Sequence, residues 1–365
     1  MENAKMNVRQ LFALIVLFEF GTAIVLPIGF VSQQSVWISI LLALIGGVLL
    51  FTIYDFLYRQ YPTMPLSGYI RKIFGKYVGW PVCLVYLGFF IYNDARVLRE
   101  TGELLVTTVY DQTPLFIINA LLMIAVIYVL YNGIEVLART GEIHLLFMLI
   151  IGVLGIVTVL FSNIMDLKHL LPLAGAGWKP IVESAYRNIL MFPFGEMISF
   201  ATILPYLNKI QSGRKTGIFA LICSGLILSF THALEIAVLG PDIYSRSTFP
   251  LFLTISKINI ADFLQRMDAI VILTLIINAF FKCAITCYAA MIIAADLFQL
   301  KKPQKLALPI GITILLSSMM TAGSWTEFEQ EGKQVIIGVF LPLLSIIIPV
   351  LLLVVHLIRK RFGLY

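Results

Sequence analysis

The sequence is built from apolar stretches long enough to cross a lipid bilayer, and this feature constrains the fold most. Ten such stretches occur, at residues 9–32, 36–58, 78–109, 114–136, 143–162, 184–206, 216–240, 265–298, 306–322 and 334–358. A helix needs about 20 apolar residues to span the hydrocarbon core. Because 60% of the 365 residues are apolar and 13% are charged, a water-soluble enzyme, a disordered chain and a secreted disulfide scaffold are excluded. The sequence predicts an all-α integral membrane protein with about ten transmembrane helices in a single domain, 1–365.

The distribution of Lys and Arg predicts the orientation in the membrane. If the N-terminus is inside, sixteen Lys and Arg residues fall on the cytoplasmic side and five on the outer side. Cytoplasmic connections of membrane proteins carry such an excess. We therefore expect both termini to be cytoplasmic.

The ten segments divide into two halves of five, 1–162 and 184–358, which enter the membrane from opposite sides. This arrangement is typical of an inverted repeat. The first segment of each half carries a Phe-Gly pair, Phe20-Gly21 and Phe194-Gly195, with prolines nearby. Since Gly and Pro weaken a helix, the sequence predicts that segments one and six are broken near mid-membrane.

Paired breaks in two repeats indicate a central binding site. Free amides at a break suit a carboxylate and free carbonyls suit an ammonium, so an amino acid is the expected ligand, although other small polar solutes would also fit. Close helix packing is the alternative explanation for the glycines. The residues predicted to bind the ligand are Phe20, Gly21, Thr22, Ala23, Tyr92, Phe192, Phe194, Gly195, Glu196, Asn278 and Phe281.

Ionisable residues within the segments are costly, and they are expected to pair or to line a path. Those predicted to act in gating or pairing are Glu19, Asp94, Arg96, Glu100, Glu235 and Lys282. Lys282 is expected to neutralise Glu19 or Glu196, either near the ligand or as a structural ion pair. Arg96 and Glu100 are spaced to pair on one helix face, as an outer gate or as packing contacts. His232, near Glu235, is either a packing residue or a proton switch.

Catalytic and metal-binding motifs are missing from the sequence. It contains no dinucleotide fingerprint, P-loop, zinc-protease or nucleophile-elbow motif. The four cysteines fall in apolar stretches and are expected to be buried thiols. We therefore expect no enzyme activity, no cofactor, no metal and no nucleic-acid partner.

Four short motifs resemble the B subunit of spore-germination nutrient receptors, in the amino acid–polyamine–organocation transporter superfamily. They are Gly21 with Leu26-Pro27, Asp94-Ala95-Arg96 with Glu100, the Phe-rich stretch from Phe192 to Glu196, and the basic tail Arg359-Lys360-Arg361. The resemblance implies a leucine-transporter-like fold of five plus five helices.

The resemblance also implies a function. Such a B subunit lies in the spore inner membrane, binds a nutrient such as an amino acid, and signals germination together with an A subunit and a C subunit. Two alternatives remain open: an amino-acid transporter coupled to protons or cations, and an ion or water conduit that partner subunits open.

Overall fold

A computed structural model of the chain describes residues 5–175, 177–258 and 268–362, without the side chains of Phe30 and Asp268. Within these ranges the regular elements are helical, and one isolated β-bridge joins Met6 to Leu207. The α-helices are α1 (Val8–Phe20), α2 (Val36–Gln60), α3 (Leu66–Phe74), α4 (Lys76–Thr108), α5 (Leu115–Tyr131), α6 (Ile134–Phe161), α7 (Trp178–Glu183), α8 (Ile210–Leu239), α9 (Pro241–Arg246), α10 (Pro250–Ser256), α11 (Asp268–Leu297), α12 (Ala307–Met320), α13 (Trp325–Glu331) and α14 (Ile348–Arg361).

Shorter helical segments connect or extend these helices. Segments of 3-10 helix are Phe30–Ser35, Leu167–Leu170, Phe194–Thr202, Leu204–Tyr206 and Pro303–Leu306. Segments of π-helix are Ser184–Ile189, Gly332–Phe340 and Pro342–Ile347. The two π-segments after α13 join it to α14, so one helical run extends from Trp325 to Arg361.

Six helices of the described chain are long and apolar enough to cross a membrane. They are Val31–Gln60, Lys76–Thr108, Ile134–Phe161, Ile210–Leu239, Ala269–Leu297 and Trp325–Arg361. The shorter apolar helix α5 packs between α4 and α12. The prediction of an all-helical protein is therefore confirmed, while the number of ten spans stays a prediction.

Two helices begin well before the predicted segments that they contain. α6 begins at Ile134, well before residue 143, and its first turns carry the exposed pair of Arg139 and Glu135 at 2.5 Å. The last helical run begins at Trp325, well before residue 334. A helix can carry charges where it leaves the apolar layer, so a hydropathy boundary need not be a helix end.

The first predicted segment is interrupted after α1. A capping box of Asn7 and Gln10 starts α1, and Gly21 ends it with φ of +38°. One irregular turn follows, and residues 27–29 have no regular structure before the 3-10 helix to Ser35. The break is present, but a regular second half-helix does not follow it, because Pro27 and Gly29 lie directly after the turn.

The sixth predicted segment is also interrupted. α7 and the π-segment Ser184–Ile189 precede a turn at residues 190–193. The 3-10 segment Phe194–Thr202 follows the turn. Both broken segments pack in the interior of the bundle against α2, α8 and α11.

The connections meet at two ends of the bundle. We call the end with residues 163–175, 241–258 and 321–331 the upper end, and the end with residues 59–65 and 298–306 the lower end. At the lower end the backbone of Met6 bonds to the backbone of Tyr206 and Asn208. The upper end carries the connections that the charge distribution predicts to lie outside.

Candidate functional site

A cavity of about 440 Å³ lies in the upper half of the bundle. Its walls come from α4, the π-segment Gly332–Phe340 and the ends of both broken segments, where residues 26–29 and 188–196 contribute. Residues 245–248 and Trp325 stand at its upper rim. The cavity thus adjoins both chain breaks that the sequence predicts.

An ion pair lies at the floor of the cavity. Nζ of Lys282 on α11 lies 2.5 Å from Oε2 of Glu196, and the amide of Asn93 donates to Oε1 of Glu196 at 2.7 Å. Lys282 is fully buried and Glu196 is 3% exposed. The ring of Phe192 faces the ammonium, 4.3 Å from its centroid to Nζ. Of the two partners that the sequence suggests for Lys282, Glu196 is the one in contact.

Gly21 makes room for the Lys282 side chain. A Cβ atom at Gly21 would lie 2.5 Å from Cδ of Lys282 and 2.9 Å from the carbonyl oxygen of Phe18. The positive φ of Gly21 is a conformation that other residues rarely adopt. Only glycine therefore combines this turn with the lysine beside it.

The carbonyl groups exposed by the break after α1 are bonded by side chains from other helices. Ala23 accepts from Nε2 of His232 at 3.1 Å, and Ile28 accepts from the Tyr244 hydroxyl at 3.1 Å. Gly29 accepts from Ser184 at 3.1 Å. These three carbonyl groups are therefore not free for a ligand ammonium, contrary to the role that the sequence suggested for such groups.

The break after α1 is also tied to α4. The hydroxyl of Thr22 donates to Oε2 of Glu100 at 3.0 Å, and Glu100 lines the cavity. The expected pair between Arg96 and Glu100 is not formed. Glu331, from outside the helix, takes the place of Glu100 as the partner of Arg96.

Arg96 holds α13 over the cavity. It forms an ion pair with Glu331, donates to the carbonyl oxygen of Phe328 at 3.0 Å, and lies 3.8 Å from the centroid of the Phe328 ring. Tyr92, one turn earlier, donates to Glu331 at 2.6 Å. We call α13 the lid, because its residues Trp325 and Phe328 line the cavity and these contacts fix them.

His232 is part of a buried network beside the break. Its Nδ1 lies 2.9 Å from Oε2 of Glu235 and 3.0 Å from the Tyr244 hydroxyl. Both His232 and Glu235 are fully buried. Because a carbonyl can only accept, Nε2 donates to Ala23, and the contact between Nδ1 and Glu235 requires a hydrogen on either the ring or the carboxyl group.

The predicted residues fall into two groups. Arg96, Glu100, Phe192 and Glu196 line the cavity. The others are not among its lining residues: Glu19, Phe20, Gly21, Thr22, Ala23, Tyr92, Asp94, Phe194, Gly195, Glu235, Asn278, Phe281 and Lys282. Among these, Phe194 would contact any side chain at Gly47, and Phe281 packs on His144 at 5.4 Å. The assignment of ligand contacts stays a prediction.

Several cavity residues carry no signal that sequence reasoning could use. Asn188, Arg246, Trp325, Phe328 and Lys333 line the cavity from the upper end. All except Asn188, which falls within predicted segment six, belong to stretches that hydropathy places outside the ten segments. Only the folded arrangement brings these residues over the floor.

Comparison with known proteins agrees with this architecture. A family model described as "Spore germination protein" matches residues 5–325. Spore germination protein KB of Bacillus subtilis (strain 168) is 37% identical over 362 residues, which are 99% of this chain and 97% of that protein. Spore germination protein YndE of the same strain is 24% identical over 89% of this chain and 88% of that protein.

A solved structure shares the fold. The crystal structure of MhsT in complex with L-phenylalanine matches with a TM-score of 0.67 and 15% identity, over 95% of this chain and 89% of that one. The fold and the long apolar helices define an integral membrane protein of the leucine-transporter-like class. The chain belongs to the spore germination protein family.

Proposed function

We propose that the protein is a membrane subunit of a spore germinant receptor, which binds a small nutrient in the cavity and signals through partner subunits. One observation carries the proposal: the cavity of about 440 Å³ adjoins both broken segments and has a buried ion pair at its floor. Small-molecule sites are of this kind, concave and mostly apolar with a few convergent polar groups.

The walls offer acidic, basic and apolar surface to a ligand. Glu100 and Glu196 present carboxylates to the cavity, Arg246 and Lys333 present positive charges, and Ile336 supplies apolar surface. MhsT, which shares the fold, was crystallised with L-phenylalanine. An amino acid is therefore the ligand class we propose, with its ammonium toward the carboxylates.

The proposed setting follows the resemblance to B subunits of germinant receptors. It consists of ten spans in two inverted repeats (1–162 and 184–358), both termini in the cytoplasm, and an assembly with A and C subunits in the spore inner membrane. Membership of the spore germination protein family supports this setting.

A transporter is the second candidate, and the fold favours it. Proteoliposomes with labelled L-alanine and a panel of amino acids, sugars and nucleosides would separate the two functions. A receptor subunit binds saturably without accumulation. Accumulation driven by a proton or sodium gradient would replace the receptor proposal by a transporter, whereas steady ion conductance would indicate a conduit.

Two matched variants test the cavity itself. Ile337 lines the cavity, and Val339, two residues later in the same π-segment, is 55% exposed and lies outside the cavity lining. We expect Ile337→Trp to weaken nutrient binding at least tenfold and to slow germination of spores, and Val339→Trp to leave both unchanged. Equal binding by the two variants at equal abundance would place the ligand elsewhere.

A further inference from the structure

Four ionisable side chains from four segments gather beneath the cavity floor. They are Glu19 on α1, Asp94 on α4, Glu196 after the second break and Lys282 on α11. We call them the buried acid cluster. Glu19 and Asp94 each interact electrostatically with both Lys282 and Glu196. Glu19, Asp94 and Lys282 are fully buried, and Glu196 is nearly so.

The cluster contains three acids and one base. A further acid, Glu100, also interacts with Lys282 and Glu196 but accepts from Thr22 at 3.0 Å. Lys282 neutralises one carboxylate, and the 2.5 Å contact assigns this charge to Glu196, which also accepts the Asn93 amide. Neither oxygen of Glu19 has a hydrogen-bond partner within the described part of the chain, and Asp94 has beside it the weakly donating thiol of Cys283. An unpaired carboxylate is strongly disfavoured in such surroundings, so the neutral acid is the stable form.

The groups on neighbouring elements do not supply the missing positive charges. Arg96 on α4 pairs with Glu331 at the lid, and His232 on α8 pairs with Glu235. On α6, His144 bonds to its own helical turn and packs on Phe281. The thiol of Cys283, a weak donor, lies beside Asp94.

A metal ion does not fit this arrangement. Within the residues that the structure describes, no group of three or more Asp, Glu, His or Cys side chains is placed to hold a metal. The Lys282 ammonium already occupies the space beside Gly21, where a Cβ would lie 3.3 Å from Nζ. The remaining ligand that neutralises a carboxylate is a proton.

We propose that the buried acid cluster is a proton-binding site, in which Glu19 and Asp94 each hold a proton while Lys282 neutralises Glu196. The site lies directly behind the cavity because Glu196 belongs to both. The protein therefore binds protons at a site next to the nutrient cavity.

If the proposed function holds, the cluster couples ligand binding to the release of a proton. A ligand ammonium that pairs with Glu196 displaces Lys282, which already interacts electrostatically with Glu19. The Glu19 carboxyl then pairs with Lys282 and loses its proton to water in the cavity. The ligand ammonium adds one positive charge to the cluster and one leaves as a proton, so the charge of the cluster, counted without the ligand carboxylate, is conserved.

Infrared spectroscopy of the full-length protein in lipid nanodiscs tests the site directly. At neutral pH and without nutrient, we expect the carbonyl stretch of buried protonated carboxyl groups. Glu19→Gln and Asp94→Asn should each remove part of this band. Glu183→Gln, at an exposed residue paired with Arg187 and outside the cavity lining, is the matched control and should leave the band unchanged.

Lys282→Met should strengthen the carbonyl band that Glu19→Gln and Asp94→Asn weaken. Without the ammonium, Glu196 must itself take up a proton, so the band should gain one carboxyl. A wild-type spectrum without this band, or a band that neither Glu19→Gln nor Asp94→Asn reduces, would overturn the proposal. Because no nutrient is present, a failure here is distinct from a failure of nutrient binding, and the wild-type spectrum decides even where a variant does not fold.

Discussion

The guanidinium of Arg96 lies over the ring of Phe328, 3.8 Å from its centroid, and the same group donates to the backbone oxygen of Phe328 at 3.0 Å. A cation–π contact, a hydrogen bond and an ion pair to Glu331 thus join one side chain of α4 to the lid. These contacts hold the lid in its place beside the cavity, and we therefore expect Arg96 to control access from the upper end.

Replacing Arg96 should loosen the lid. In Arg96→Ala we expect backbone amides of residues 325–332 to exchange with deuterium at least tenfold faster, because three lid contacts are lost together. Arg96→Lys should be intermediate, since lysine keeps the charge but lacks the planar fork that serves two acceptors at once. Hydrogen exchange followed by mass spectrometry measures this effect.

Arg99 provides the matched control for this experiment. It lies one turn from Arg96 on α4 but pairs with Glu103 of the same helix at 2.6 Å. Arg99→Ala should leave exchange of the lid unchanged. Equal acceleration by both variants would mean that α4 as a whole, rather than Arg96, holds the lid.

A methyl group at Gly21 should destabilise the protein. Gly21→Ala combines a strained positive φ with clashes against Lys282 and the Phe18 carbonyl. We expect a loss of roughly 2–4 kcal/mol, the sum of backbone strain and overpacking. Thermal unfolding in detergent measures the loss.

Gly88 is the control for this substitution. It lies within α4, and a Cβ there would have no atom within 4 Å. Gly88→Ala should be neutral or stabilising, because alanine is the better helix former. A Gly21→Ala protein as stable as Gly88→Ala would show that the turn after α1 can rearrange and that Lys282 is not confined by it.

The positions of the two breaks could be predicted from the sequence, but their shapes could not. Gly21 and Pro193 mark where the helices stop, because glycine and proline act locally on the backbone. The use of the freed carbonyl groups depends on partners far away in the chain. His232 reaches Ala23 across 209 positions, and no local pattern predicts such a contact.

Some features of the candidate site could be predicted from the sequence and others could not. Lys282 and Glu196 are candidate functional residues in the sequence because charges within apolar segments are rare. The pairing of Arg96 with Glu331 rather than with Glu100 depends on how the lid folds back over α4. Helical spacing favours Glu100 as the partner of Arg96, but the folded structure brings Glu331 into contact with it instead.

The His232 network should be essential for stability. His232→Ala leaves the Glu235 carboxyl and the Ala23 carbonyl without their buried partner. Each buried polar group left unpaired costs about 1–3 kcal/mol, so we expect a total loss of roughly 2–6 kcal/mol. Tyr244→Phe should cost less, because His232 keeps both of these bonds.

His144 is the matched control for His232. Its Nδ1 contacts only Thr140 of its own helix, and its ring packs on Phe281. His144→Ala should lower the midpoint of thermal unfolding much less than His232→Ala does. Similar losses for the two variants would contradict a special role of the His232 network.

At the lower end, Asp296 on α11 joins its helix to α3 and should matter more than an exposed ion pair. Arg71 donates to its Oδ2 at 2.6 Å and Ser67 donates to the same oxygen at 2.5 Å. Asp296→Asn removes the charge that both donors share, and we expect a loss of about 1–3 kcal/mol. Glu135→Gln, which breaks the exposed pair with Arg139, should cost less than about 0.5 kcal/mol. Thermal unfolding of both variants at low and at high salt measures the difference, and equal losses would mean that the contact at Asp296 adds no stability beyond that of a solvent-screened pair.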